Sequence, residues 1–177
     1  MVFPIFHLPL LIIISLVLIF LGISVYFREK KSITHKAFLF LALSILLWIA
    51  ALYISDHPAF TSQALFWNKA TVAAGFLMGL FLLYLVLVFP EKELSISLFW
   101  KIVLVISGVI SCLSLFTDLI VKDVEFYSWG TNIIGGRLFL FSVIWSIFNM
   151  GAAAWAGIRK LKNSIGIERT QFKFLLT

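Results

Sequence analysis

The chain has 177 residues, of which 62% are hydrophobic and only 12% are charged, and its mean hydropathy is +1.10. Soluble domains carry about 25% charged residues, so this composition excludes a water-soluble globular domain and indicates a membrane protein. The formal net charge of +6 is then expected at cytoplasmic loops beside anionic headgroups. We therefore expect a lipid bilayer as partner and no nucleic acid.

Five apolar runs along the chain are long enough to cross a membrane, because a helix spans about 30 Å of hydrocarbon with roughly 20 residues. They predict an all-α fold, a polytopic transmembrane helix bundle forming a single membrane-embedded region over residues 1–177. A sixth run begins at about residue 170, so we expect five complete spans plus the start of a sixth, in a chain that is part of a longer protein. The predicted spans are residues 8–27, 37–55, 68–89, 97–117 and 138–158.

The charges between these runs predict the orientation, since Lys and Arg are retained in cytoplasmic loops. The first run follows a segment without Lys or Arg and precedes a basic loop, which places the N-terminus outside. Loops 28–36, 90–96 and 159–173 are then cytoplasmic. All but three of the 14 Lys and Arg residues fall on the predicted inner side, and the exceptions are Lys69, Lys122 and Arg137.

Small and polar residues inside the spans predict helix contacts. Gly75 and Gly79 form a GxxxG pair in the third run, where the missing side chains would let a neighbouring helix approach. The alternative is an accidental spacing, because small residues are common in membrane helices. Asn149 is expected to hydrogen-bond across helices, and the lone Cys112 is expected to pack in an apolar run.

Residues for catalysis or metal binding are not evident in the sequence. His7, His35 and His57 lie in different loops or ends, so we expect no metal, no cofactor and no catalytic residue within the chain. His7 and His57 are both predicted outside, which leaves a pH-sensing role open. Gly135-Gly136-Arg137 lacks the Lys-Ser/Thr of a phosphate loop and predicts a turn into the fifth span.

The longest outer loop, residues 118–137, alternates apolar and polar residues and contains aromatic side chains. One interpretation is a segment lying on the membrane surface, and the other is a lid over an outward-facing pocket. In the second case, Trp and Tyr would supply apolar contact and the cations would neutralise an anionic or amphiphilic ligand. An aromatic belt with snorkelling cations is the alternative. The candidate ligand-binding residues are Trp67, Asn68, Lys69, Tyr127, Trp129 and Arg137.

Several short motifs occur in a characteristic order along nearly the whole chain. In this order and spacing the sequence resembles the N-terminal seven-helix membrane region of bacterial sensor histidine kinases. The motifs are a basic first inner loop, Phe66-Trp67-Asn68-Lys69, Val88-Phe89-Pro90, Phe116-Thr117-Asp118, Ser128-Trp129-Gly130, and Gly166-Ile167-Glu168-Arg169-Thr170-Gln171-Phe172-Lys173-Phe174.

The resemblance implies a signal-transduction region that passes an extracytoplasmic or intramembrane stimulus to a cytoplasmic output module. That module would be a histidine kinase acting with a response regulator, or a cyclic-dinucleotide synthase; a homodimer and an unknown small ligand are further implied partners. The residues given contain no kinase core, since His35 is followed by Lys36 in a short basic loop. A small membrane transporter or channel, and a non-catalytic membrane assembly protein, are the alternative functions.

Overall fold

The computed structural model describes residues 7–89, 96–127 and 130–163. Within them, five α-helices are long and apolar enough to cross a membrane, which confirms the all-α, polytopic class. The sixth span expected from about residue 170 lies outside the described residues. The helices are α1 (His7–Arg28), α2 (Ile33–Asp56), α3 (Ala64–Val88), α4 (Leu98–Phe116) and α5 (Phe139–Asn163).

The helices extend beyond the apolar runs where polar residues continue them. α2 begins at Ile33, because Ser32 adopts an extended conformation and its hydroxyl accepts a hydrogen bond from the His35 N–H at 3.5 Å. α5 continues past the apolar run to Asn163, and Lys160 and Lys162 in its last turn suit the negative end of the helix dipole. Hydropathy thus located the spans, whereas local capping sets the ends of the helices.

α3 is the central helix of the bundle. Half of its most apolar window is buried inside the protein, against 6% of the corresponding window of α1. α3 packs against α2, α4 and α5, whereas α1 packs mainly against α2. Small residues allow this close approach of helices, and the buried ones on α3 are Ala64, Ala70, Ala73, Ala74 and Gly79.

Serine side chains tie α4 to its neighbours. The Ser111 hydroxyl donates to the Ala73 carbonyl of α3 at 2.9 Å, and Ser107, which is fully buried, lies 3.1 Å from Oδ1 of Asn149 on α5. The expected cross-helix contact of Asn149 is therefore present. The Trp145 indole N–H completes this group by donating to the Ser107 hydroxyl at 3.0 Å. Each polar group removed from water here has a partner, as burial requires.

The two glycines predicted to form a packing face contact different helices. A Cβ added at Gly75 would lie 3.9 Å from Trp48 of α2, and one added at Gly79 would lie 3.9 Å from Asn149 of α5. These are ordinary van der Waals separations. A tighter contact lies at Gly22 of α1, where an added Cβ would come within 3.2 Å of Ala42 on α2. The effect of Leu at Gly75 or Gly79 stays a prediction.

The loop between α4 and α5 is an antiparallel hairpin, a form that neither sequence interpretation, a surface segment or a lid, had specified. Strand β1 (Val121–Tyr127) pairs with β2 (Gly130–Gly135), with Val121 opposite Gly135 and Tyr127 opposite Gly130. The alternation of apolar and polar residues was therefore the two-residue period of a strand. Ile120 and Val121 at the base of the hairpin are buried against Phe76 and Ile110, so the hairpin closes one end of the bundle.

Candidate functional site

Asp56 joins the end of α2 to the hairpin. Its Oδ1 accepts hydrogen bonds from the Thr131 N–H at 3.1 Å and from the Thr131 hydroxyl at 2.6 Å. Gly130 precedes this contact with a φ of +149°, and a Cβ there would lie 3.3 Å from Oδ1 of Asp56. Glycine is needed at this position on both grounds, because L side chains rarely adopt that φ and the carboxylate occupies the space.

Asn68 brings α3 into the same contact. Its side chain is 5% exposed, and Nδ2 donates to the Thr131 hydroxyl at 3.2 Å and to the Ala64 carbonyl at 2.9 Å. The Thr131 hydroxyl has one proton, and the shorter separation directs that proton to Asp56. We call Asp56, Asn68 and Thr131 the outer junction. It links α2, α3 and β2, and we name it for the side of the membrane that the loop charges predict.

A second contact of this end joins α3 to the segment after α4. Lys69 Nζ lies 2.5 Å from Asp118 Oδ1, and the Lys69 side chain is largely buried while Asp118 is exposed. The Ser114 hydroxyl donates to the Lys69 carbonyl at 3.4 Å. Lys69 thus already forms an ion pair within the protein, and an anionic ligand would have to compete with Asp118 for it.

Asp118 also borders an open cavity of about 590 Å³ at the base of the hairpin. Lys122 and Arg137 lie on its rim, and among the described residues neither has a carboxylate partner. Gly136 lets the chain turn here, since a Cβ would lie 2.3 Å from the Asp118 carbonyl oxygen. We call this cavity the outer cavity. Its surplus of positive charge suits an anionic group, and its lining residues are Asp118, Leu119, Lys122, Gly135, Gly136 and Arg137.

Of the six predicted ligand-binding residues the structure describes five, and it does not gather these five into one site. Tyr127 is paired with Gly130 near the turn of the hairpin, whereas Arg137 follows the opposite end, roughly 20 Å away at about 3.3 Å per residue. The Tyr127 hydroxyl donates to Glu125 at 2.8 Å, and this hydrogen bond together with the Glu125 charge raises the Tyr127 pKa. The Trp67 indole N–H donates to the side-chain oxygen of Gln63, four residues earlier in the chain, at 3.3 Å. Trp129 lies outside the described residues.

Sequence reasoning missed Asp56, Thr131 and Asp118. The available signal for Asp56 was its position at the end of an apolar run. The partners of these residues are distant in the chain, since Asp56 and Thr131 are 75 positions apart. Only the fold brings them together.

The other end of the bundle has a junction of its own. Lys160 of α5 donates to the carbonyl oxygens of Leu87 and Phe89 at 2.6 and 2.8 Å. The Thr34 hydroxyl of α2 donates to the Val88 carbonyl at 3.4 Å. These carbonyls belong to the end of α3, where a helix has acceptors without intrahelical donors and a partial negative charge. We call Thr34, Leu87, Val88, Phe89 and Lys160 the basic-end junction.

Comparison with curated proteins and with solved structures found no match. A family model does match, and its description is the N-terminal 7TM region of histidine kinase. The match covers residues 10–177, nearly the whole chain, and is consistent with the five apolar helices that the structure describes. The chain therefore belongs to the family of N-terminal seven-transmembrane regions of histidine kinases.

Proposed function

We propose that this region senses an extracytoplasmic stimulus and passes it to a cytoplasmic kinase module through α5. The observation that carries the proposal is the path of the chain from the hairpin into α5. Gly136 and Leu138 donate backbone hydrogen bonds to the carbonyls of Ile120 and Leu119, at 2.9 and 2.8 Å, and α5 begins at the next residue, Phe139. A displaced hairpin would therefore move the first turn of α5.

α5 then crosses to the basic-end junction, where Lys160 bonds the carbonyls at the end of α3. A helix is stiff along its axis, so a shift at Phe139 changes how Lys160 meets these carbonyls. Two arrangements of α5 against α3 supply the two-state element that signalling requires. The kinase module is expected on this basic side, because the side rich in Lys and Arg is cytoplasmic.

The stimulus is proposed to be an anionic or amphiphilic ligand at the outer cavity. Arg137 lies two residues before Phe139, the first residue of α5. An anion that neutralises the Arg137 charge would therefore act on the start of this helix. Lys122 supplies a second cation on the same rim. The ligand shifts the equilibrium only if it binds one arrangement better than the other.

The test uses the full-length protein with its own output module and a transcriptional reporter. Arg137→Ala and Lys122→Ala are expected to reduce the response to the stimulus by about tenfold or more, since a charge-assisted hydrogen bond contributes roughly 1.5–3 kcal/mol. Arg137→Lys should restore little of the response if the contact is bidentate.

The matched control is Glu125→Gln, which changes one charge on the same hairpin away from the outer cavity. It should respond as the wild type does. The proposal is wrong if the two cavity variants respond normally at normal expression. It is equally wrong if their response falls only in proportion to the amount of inserted protein.

A further inference from the structure

A groove of about 520 Å³ lies between the first residues of α4 and the middle of α5. Its lining is aromatic or very small, and the only polar side-chain atoms in it are two indole nitrogens. This size falls in the range of about 300–1,000 Å³ that small-molecule sites occupy. The lining residues are Phe99, Trp100, Phe148, Gly151, Ala152 and Trp155.

The groove persists because its floor has no side chain to fill it. A Cβ added at Gly151 would meet no atom within 4 Å. Trp100 and Trp155 contact each other across the two helices, with ring centroids 6.3 Å apart, and Phe99 packs edge-on against Trp100 at 5.0 Å. These ring contacts fix the walls, so the space between them is a property of the folded bundle.

Positive charge flanks the groove. The Arg159 guanidinium lies 5.3 Å from the centroid of the Trp155 ring, in a cation–π contact. Lys101, the neighbour of Trp100 in the chain, is exposed. Neither α4 nor α5 contains an Asp or Glu, so these two helices offer no internal partner for either cation. The groove is thus apolar inside and cationic at its edge.

We propose that this groove binds an anionic phospholipid, with one acyl chain along Gly151 between the aromatic walls and the phosphate beside Arg159. A zwitterionic lipid would fill the apolar space and leave the edge cations without net compensation. A basic site between membrane helices on the cytoplasmic side is suited to an anionic headgroup. The proposal does not depend on the outer cavity, which lies beside the hairpin at the opposite ends of α4 and α5.

The test is native mass spectrometry of the purified 177-residue chain in detergent, titrated with dioleoylphosphatidylglycerol or with dioleoylphosphatidylcholine. The wild type is expected to retain phosphatidylglycerol about fivefold more tightly for each basic residue engaged, since each contributes ~1 kcal/mol near an anionic headgroup. Arg159→Ala should lower this preference about fivefold. Gly151→Leu should reduce retention of phosphatidylglycerol to that of phosphatidylcholine, because the new side chain occupies the groove.

Two control variants separate the site from general effects. Lys162→Ala removes an exposed charge from the same last turns, and Leu140→Phe adds bulk to a lipid-facing position near the other end of α5. Both should retain phosphatidylglycerol like the wild type. Since Gly151 faces open space, its variant is expected to fold, and circular dichroism checks that.

Several results would overturn the proposal. Equal retention of the two lipids by the wild type would make the groove part of an aromatic belt. An equal loss in Lys162→Ala and Arg159→Ala would indicate diffuse surface charge. Unchanged retention of phosphatidylglycerol in Gly151→Leu would show that no acyl chain lies in the groove.

Discussion

At the scale of single residues, Thr131 contacts both other members of the outer junction. Its hydroxyl donates to Asp56 and accepts from Asn68, while its backbone N–H donates to Asp56 as well. Removing that hydroxyl leaves the buried Asn68 amide short of a partner. An unsatisfied buried polar group costs its full desolvation, about 1–3 kcal/mol, whereas an intact hydrogen bond contributes less.

We predict that Thr131→Val lowers the free energy of unfolding by about 1–3 kcal/mol. The substitution keeps the shape of the side chain and removes only the hydrogen-bonding group. Thermal unfolding of the purified chain in detergent, followed by circular dichroism, measures the effect. A melting temperature equal to that of the wild type would show that the junction contributes nothing to stability.

The control is Thr71→Val on α3. The Thr71 hydroxyl bonds only the Trp67 carbonyl of its own helix, at 2.9 Å. The Trp67 carbonyl already lies within the backbone hydrogen bonding of α3. Losing the Thr71 hydroxyl is therefore expected to lower the free energy of unfolding much less than losing the Thr131 hydroxyl. A larger loss at Thr71 than at Thr131 would contradict the interpretation.

The sequence identified two polar residues at the hairpin end, Asn68 and Lys69, but not what they contact. Asn68 and Lys69 were identified from their place at the start of a span. Their partners, Thr131 and Asp118, lie 63 and 49 positions away. Hydropathy and spacing report local periodicity, so a hydrogen bond between distant segments leaves no trace in either.

At the scale of elements, the five helices were predictable because each is a long apolar run, and the hairpin was not. A hairpin of 15 residues needs a surface to pack on, and this one packs Ile120 and Val121 against the bundle. Its turn into α5 depends on Gly136, which sits against the carbonyls of Asp118 and Leu119. The predicted turn at Gly135-Gly136-Arg137 is present, but its role as the join between hairpin and α5 required the fold.

We predict that Gly136→Ala detaches the base of the hairpin. A methyl group there would clash with two backbone carbonyls that cannot move independently of the strand. The loss should reach several kcal/mol, as for other glycines in close backbone approach. Thermal unfolding in detergent measures it.

Gly79→Ala is the matched glycine control in α3. An added Cβ lies 3.9 Å from Asn149, and alanine favours a helix over glycine by about 1 kcal/mol, so this variant should be as stable as the wild type or more. Comparable melting temperatures for the two variants would mean that the turn can relax around a methyl group.

At the scale of the whole molecule, the two ends of the bundle differ in chemistry. The hairpin end joins its elements through carboxylate, hydroxyl and amide groups, and the other end joins them through Lys160 and backbone carbonyls. From the sequence we predicted only that Lys and Arg gather in alternate loops, on one side of the membrane. The side of the cell that each end faces remains a prediction from that asymmetry.

We predict that the hairpin is extracytoplasmic and that the C-terminal ends of α1 and α5 are cytoplasmic. In a Cys112→Ser background, Asp123→Cys should react with a membrane-impermeant maleimide in intact cells, and Lys162→Cys should not. Both positions are exposed, so both should react once the membrane is permeabilised. Labelling of Lys162→Cys in intact cells would reverse the orientation and place the outer cavity in the cytosol.

The close contact of α1 with α2 at Gly22 has a consequence for how the protein is made. The two helices are separated by only residues 29–32, and α1 packs mainly on α2. Ribosomes release them in immediate succession, so this pair can dock in the membrane before α3 has been synthesised. We expect α3, α4 and α5 to join this pair afterwards, through the packing of α3 on α2.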